Sequence, residues 1–268
     1  MVSDSCKKRF GNIMMEEMEL VAQEEIAPRI YSMMLKGEMV AQMLPGQFLH
    51  IRVPDGSKLL RRPISISEID PETQTCRLIY RIEGGGTAIF SQLPIGSKLS
   101  VMGPQGNGFD LTNLGQGQKA LIIGGGIGVP PLVQVAKQLH EQGVDVEVVV
   151  GFATKEAVIL EEVLSKVAHV TVTTDDGTYG TKGYVSTVID QMDQEFDAIY
   201  SCGAPGMLKY VNTKFHDHPR AYISMESRMA CGMGACYACV VHLENESQAA
   251  NKRVCEDGPV FETGTIVM

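Results

Sequence analysis

Lys119-Ala120-Leu121-Ile122-Ile123-Gly124-Gly125-Gly126-Ile127-Gly128-Val129-Pro130-Pro131 is the stretch that decides how this chain folds. A short apolar run, a glycine-rich turn and a helix opened by two prolines make the first strand, loop and helix of a nucleotide-binding βαβ unit. Pro130 and Pro131 suit a first helical turn, where the N–H groups they lack have no partner to lose. The spacing departs from the strict G-x-G-x-x-G fingerprint, yet Gly124, Gly126 and Gly128 leave the backbone bare enough for a pyrophosphate to come close. The helix is expected over Leu132 to Gln142.

Downstream the alternation continues. Strands are expected over Val144 to Val150, His169 to Thr173 and Ala198 to Ser201, and helices over Glu156 to Val167, Val185 to Met192 and Met207 to Phe215. Strands alternating with helices of this length predict a parallel sheet covered on both faces. Such sheets bind ligands at the carboxyl ends of their strands. One end carries Thr174-Asp175-Asp176-Gly177, whose carboxylates would accept hydrogen bonds from ribose hydroxyls and repel a 2'-phosphate; a solvated turn is the alternative. Another carries Ser201-Cys202-Gly203, which turns Cys202 toward the crevice unless that thiol is only a small buried hydrophobe.

Upstream, from Met18 to about Leu111, the pattern is different. Short alternating segments (Glu19 to Gln23, Phe48 to Val53, Cys76 to Ile82) are separated by Pro45-Gly46, Pro54-Asp55-Gly56, Asp70-Pro71 and Pro94-Ile95-Gly96, which predicts an antiparallel barrel. Leu60-Arg61-Arg62-Pro63-Ile64-Ser65 sets two arginines beside a half-buried strand, a fork suited to a diphosphate. Glu83-Gly84-Gly85-Gly86-Thr87 then places free backbone N–H groups before a short helix, where another phosphate oxygen can be held. Solvated arginines and a plain turn are the alternatives.

The last forty residues hold Cys231-Gly232-Met233-Gly234-Ala235-Cys236-Tyr237-Ala238-Cys239 and, beyond it, Cys255. The C-x4-C-x2-C spacing is that of plant-type iron-sulfur ligation, and Cys255 is the only later cysteine able to close the cage. A structural zinc knuckle is the alternative, although zinc sites more often show paired C-x2-C arms. Composition narrows the partners. A net charge of -9 lacks the clustered basic residues of a nucleic-acid footprint, and no apolar run reaches the length of a membrane span. A cytoplasmic, reducing location is expected, which favours thiolate ligands over disulfides.

In this order, over residues 18–268, the segments resemble the ferredoxin reductase superfamily and, within it, the electron-transfer subunits of type B dihydroorotate dehydrogenases. Arg62-Pro63-Ile64-Ser65 matches the superfamily's Arg-x-Tyr-Ser/Thr flavin motif, with Ile64 in the aromatic position. Ile79-Tyr80-Arg81 and Gly86-Thr87 match its second and third FAD segments. Gly124-Gly125-Gly126-Ile127-Gly128 matches the pyridine-nucleotide loop, and Cys202-Gly203 the pair beside the nicotinamide. Asp175 and Asp176 stand where NADP-using relatives carry a serine and an arginine, so the resemblance implies NAD. Met225 through Cys236 is the most specific run, and through it Cys231, Cys236, Cys239 and Cys255 are implied to be 2Fe-2S ligands. Glu226 is assigned no role.

The implied organisation is a flexible tail (1–15), an FAD-binding β-barrel (16–115), an NAD-binding α/β domain (116–226) and a 2Fe-2S module (227–268). The implied function is electron transfer from the FMN of a separate dihydroorotate dehydrogenase catalytic subunit, in a heterotetramer, through 2Fe-2S and FAD to NAD+. Two rivals stand beside it: the flavoprotein subunit of a hydrogenase, sulfide or transhydrogenating complex, and a zinc-stabilised nucleotide sensor.

Overall fold

The computed structural model describes residues 13–193, 195–244 and 251–268. Cys6 and most of the expected tail lie outside them. Of that tail, Met14 and Met15 belong instead to the first strand, where they pair with Gly103 and Met102.

The strands β1 (Met14–Ala27), β2 (Ile30–Lys36), β3 (Phe48–Ile51), β4 (Arg62–Asp70), β5 (Thr75–Arg81) and β6 (Lys98–Gln105) close a barrel in the order β1-β2-β5-β4-β3-β6. Every pairing in it is antiparallel. The period-2 alternation sends Leu20, Leu35, Leu49, Ile51, Ile64, Ile66, Leu78 and Val101 inward. Each such burial contributes roughly 1.5–3 kcal/mol before entropy is counted. The helix α1 (Gly85–Phe90) follows β5 and drops Phe90 into the same core.

A seven-stranded sheet comes next. Its order is β10 (Thr181–Lys182), β9 (His169–Thr174), β8 (Asp145–Phe152), β7 (Lys119–Gly125), β11 (Ala198–Cys202), β12 (Ala221–Ser224) and β15 (Val260–Glu262). All neighbours run parallel except β15, which lies antiparallel on β12. The helices are α2 (Pro130–Glu141), α3 (Glu161–Leu164), α4 (Val185–Ile189) and α5 (Pro205–Lys214). Two expected helices are shorter than their apolar pattern suggests. The one over Glu156 to Val167 is broken into a 3-10 turn (Lys155–Ala157) and α3, because Leu160 takes the left-handed conformation at φ 65 and redirects the chain. The other ends at Ile189 rather than Met192.

Barrel and sheet share a core. Ile30, Ile79, Phe109 and Leu111 pack in one cluster with Val129, Leu132, Val133 and Ala136 of the nucleotide unit. The C-terminal segment forms a small ribbon, β13 (Val240–His242) with β14 (Asn251–Arg253), and then gives β15 to the large sheet. The expected cluster module is therefore hydrogen-bonded into the sheet of its neighbour. Its apolar side chains Met229, Cys239, Cys255 and Phe261 pack with Phe48 of the barrel and Ile123 and Ile223 of the sheet.

Candidate functional site

The cysteine loop is shaped by Gly232 and Gly234, at φ 71 and 74, which turn successive amides inward. The N–H groups of Met233 and Cys236 each donate to Cys231 Sγ at 3.4 Å. That of Gly234 donates to Cys255 Sγ at 3.1 Å, and Cys239 Sγ lies 3.3 Å from Cys255 Sγ. Cys239 and Cys255 thus form a sulfur pair, and the backbone of Cys236 is tied to the sulfur of Cys231. Burial raises the Cys231 thiol, but the amides of Met233 and Cys236 outweigh it and bring the thiol down to about 7. Burial and the neighbouring Cys239 push Cys255 up to about 12. A coordinated metal reverses that, since a ligating thiol loses its proton. Among the described residues no three such groups converge on a single metal ion, while amides aimed at the sulfurs of a four-cysteine loop fit the larger iron-sulfur cluster, whose potential such bonds tune. From outside, Arg253 donates to the Gly234 carbonyl (2.8 Å), pairs with Glu256 (2.7 Å) and Asp257 (3.1 Å), and lies 5.0 Å from the centre of the Tyr237 ring.

Gly232 leaves no room for a side chain because the imidazole of His50 and the amide of Gln105 press against it. Both are fully buried, and among the described residues neither side chain makes a hydrogen bond. Burial, helped by the charge of Arg61, lowers His50 to about 4, so the ring is neutral. His50 sits on β3 opposite Pro63 of β4, and Phe48 sits opposite Ser65. The cluster loop therefore lies against the strand next to the one that carries the flavin motif. The sequence held a signal for this, a histidine inside the apolar run Phe48 to Val53, that the motif reading passed over.

The two adjacent arginines separate. Arg61 turns away and donates to the carbonyls of His50 (3.2 Å) and Ser100 (2.7 Å) and to Ser100 Oγ (3.1 Å), so it ties strands together. Arg62 reaches α1, where a Cβ on Gly86 would stand 2.6 Å from its Nε. Lys58 approaches the same turn at Gly85. A guanidinium, an ammonium and bare backbone at a helix start suit a diphosphate. Thr87 Oγ1 accepts from the amides of Glu83 (3.1 Å) and Gly84 (3.3 Å), so it shapes the turn. Ile64 points into the barrel core. Of the second segment, Ile79 faces the core between the domains. Tyr80 lies inside the barrel, its ring 6.0 Å from that of Tyr31, and Arg81 is exposed and paired with Glu83.

At the carboxyl ends of β7 and β11, a Cβ on Gly128 would stand 2.5 Å from the carbonyl of Cys202 and from the Cα of Gly203, so these two motifs approach as only glycine allows. Met207 of α5 packs over Gly125 and Gly203. Burial raises the Cys202 thiol, and the carboxyl of Glu226 adds to the shift. Glu226 is exposed, yet partial burial of its carboxyl raises it, with Glu83 adding and Arg81 opposing. The charge of Arg81 thus acts on Glu226, and that of Glu226 on Cys202. From sequence Glu226 is left without a role, since a glutamate beyond a strand end is as readily an exposed residue as one near the flavin or nicotinamide. At the end of β9, Asp176 accepts from the amide (2.9 Å) and hydroxyl (2.7 Å) of Thr178, so its carboxylate builds the turn. Asp175 is left exposed at the tip.

Residues 17–109 match the family described as the oxidoreductase FAD-binding domain and residues 122–213 the oxidoreductase NAD-binding domain. Residues 226–267 match the iron-sulfur cluster binding domain of dihydroorotate dehydrogenase B. The fold and these three matches define a ferredoxin reductase-type flavoprotein with FAD-, NAD- and iron-sulfur-binding domains. The chain is 68% identical to the dihydroorotate dehydrogenase B (NAD(+)) electron transfer subunit of Streptococcus mutans, over 96% of this chain and 99% of that one. It is 48% identical to the subunit of that name from Geobacillus thermodenitrificans, over 94% and 98%. Among solved structures it resembles an NADH-dependent reduced ferredoxin-NADP oxidoreductase, at 27% identity and a TM-score of 0.83, over 94% of this chain and 90% of that one. This chain belongs to the family of dihydroorotate dehydrogenase B (NAD(+)) electron transfer subunits. The iron-sulfur match also removes the zinc-sensor reading.

Proposed function

We propose that this chain carries electrons from dihydroorotate, oxidised on a separate FMN-bearing subunit, to NAD+ in the cytoplasm, as one of the subunits of a heterotetramer. The single observation that carries the reading is the contact of the cysteine loop with β3, beside the flavin-motif strand β4. When bound, an iron-sulfur centre exchanges single electrons, nicotinamide exchanges a hydride, and flavin does both. This chain's residues supply placement. Cys231, Cys236, Cys239 and Cys255 hold the cluster, with Cys236 the exposed one, toward the partner.

Arg62 and Gly86-Thr87 hold the FAD diphosphate, while Pro63, Ile64, Ser65 and Ile79-Tyr80-Arg81 form the strands beneath the flavin. Gly124, Gly125, Gly126 and Gly128 hold the pyrophosphate of NAD, Cys202-Gly203 meet the nicotinamide, and Asp175 meets the ribose. In this division residues 16–115, 116–226 and 227–268 serve FAD, NAD and the cluster. Among the described residues no helix is long and apolar enough to cross a membrane.

Purification with the co-encoded partner and assay of dihydroorotate-dependent NAD+ reduction tests the reading. Turnover with hydrogen or ferredoxin instead would favour the rival complex, to which the 27% identical structure belongs by its description. For the nucleotide, Asp175→Ser is expected to loosen discrimination against NADPH by about tenfold, the worth of one hydrogen bond to a charged group. The ratio of kcat/KM for NADPH and NADH measures it, and an unchanged ratio would mean that this turn does not meet the ribose.

A further inference from the structure

A polar tie joins the flavin strand to the nucleotide helix. Glu68 of β4 is one-fifth exposed and receives Arg77 Nη1 of β5 at 2.8 Å on one oxygen, and Lys137 Nζ of α2 on the other. The next residue, Ile69, donates its amide to Gln134 Oε1 of α2 at 2.9 Å. Arg77 is itself held by Ser32 Oγ at 2.8 Å. A groove of about 710 Å³ opens beside these groups, lined by barrel strands and α2.

The placement of these ties matters more than their number. Along β4, Glu68 stands three residues beyond Ser65, about 10 Å at the rise of a strand. Along α2, Lys137 stands seven residues beyond Pro130, again about 10 Å at the rise of a helix. Each end of the tie is thus rigidly connected to a nucleotide motif, the flavin segment Arg62 to Ser65 on one side and the loop Gly124 to Gly128 on the other. Burial works against ionisation of Glu68, but the bonds from Lys137 and Arg77 outweigh it and hold the carboxyl below its ordinary range.

We propose that Glu68, Lys137 and Gln134 form an interdomain strap that sets the approach of nicotinamide to flavin, and that they are positioning residues for hydride transfer. The inference rests on the FAD and NAD assignments above. The step concerned moves one hydride from NADH to oxidised flavin, which takes one proton from solvent; the reverse supplies NADH.

Anaerobic stopped-flow reduction of the flavin by NADH, in the FAD- and cluster-loaded complex, tests it. Glu68→Gln keeps the shape and one hydrogen-bonding edge but loses the charge, and is expected to lower the limiting reduction rate by about tenfold, as small misplacements do. The apparent Kd for NADH should stay within about twofold, because uniform binding is untouched. FAD content and the cluster's spectroscopic signature should not change. Lys137→Gln should give the same loss, and the double variant should be no slower than either single one, since both break one tie. Limiting rates that equal the parent's, or losses that multiply in the double variant, overturn the strap. Failure of NADH to reduce the flavin of the parent protein would instead overturn the functional reading itself.

Discussion

Alanine in place of Cys236 is expected to give a folded, FAD-containing protein without an iron-sulfur cluster. Cys236 is the exposed member of the four and stands outside the buried cluster that includes Cys239 and Cys255. Its removal costs little packing. It does remove one of four thiolates, and no neighbouring amide can replace an anionic ligand to iron. Iron and sulfide content should fall to background, with loss of the paramagnetic signal of the reduced cluster. Dihydroorotate-linked NAD+ reduction in the complex should fall by about a thousandfold or more, while NADH oxidation with an artificial acceptor continues, since the flavin and nucleotide residues are untouched. Cys255→Ala makes the contrast. That side chain is 2% exposed and packs with Phe48 and Phe261, so the same ligand loss should come with a lower melting temperature. A Cys236→Ala protein that keeps its iron would show that the ligand set is wrong.

The parts of this molecule that were legible in the sequence are those whose physics is local. Apolar strand, glycine turn and proline-opened helix lie within thirteen consecutive residues, and β7 and α2 follow that pattern closely. The barrel strands announce themselves by alternation, and three of the four thiols by spacing. What escaped depends on residues distant in the chain. The helix expected at Glu156 is interrupted at Leu160, whose left-handed backbone nothing in its own composition announces. β15 is three residues long, too short for a periodicity, and exists because β12 offers it an edge. Arg61 and Arg62 read alike as a fork, yet neighbours in a strand face opposite sides, so only Arg62 reaches Gly86 while Arg61 binds Ser100. His50 and the tie through Glu68 matter through what packs on them from elsewhere.

Arg62 gives the second large effect. Its Nη1 donates to the Leu60 carbonyl at 2.7 Å, which fixes the guanidinium across the amino end of α1, where Gly86 leaves space for it. A diphosphate arriving at that turn meets a donor fork already oriented, so little side-chain entropy is lost on binding. Replacing Arg62 with alanine should weaken FAD binding by about ten- to a hundredfold, the range of one or two charge-assisted hydrogen bonds. The purified variant should be depleted in flavin, regain it on addition of excess FAD, and keep its cluster, because the cysteine loop packs on the side chains of His50 and Gln105 rather than on Arg62. Lysine restores the charge without the fork and should recover only part of the affinity. Gly86→Ala approaches the same point from the other side. The added carbon would displace the guanidinium without removing it, so it should also lower FAD affinity, whereas a residue that merely caps the barrel would leave it unchanged. Fluorescence titration of the apoprotein with FAD separates these outcomes, and equal dissociation constants for the parent and Arg62→Ala proteins would remove Arg62 from the diphosphate site.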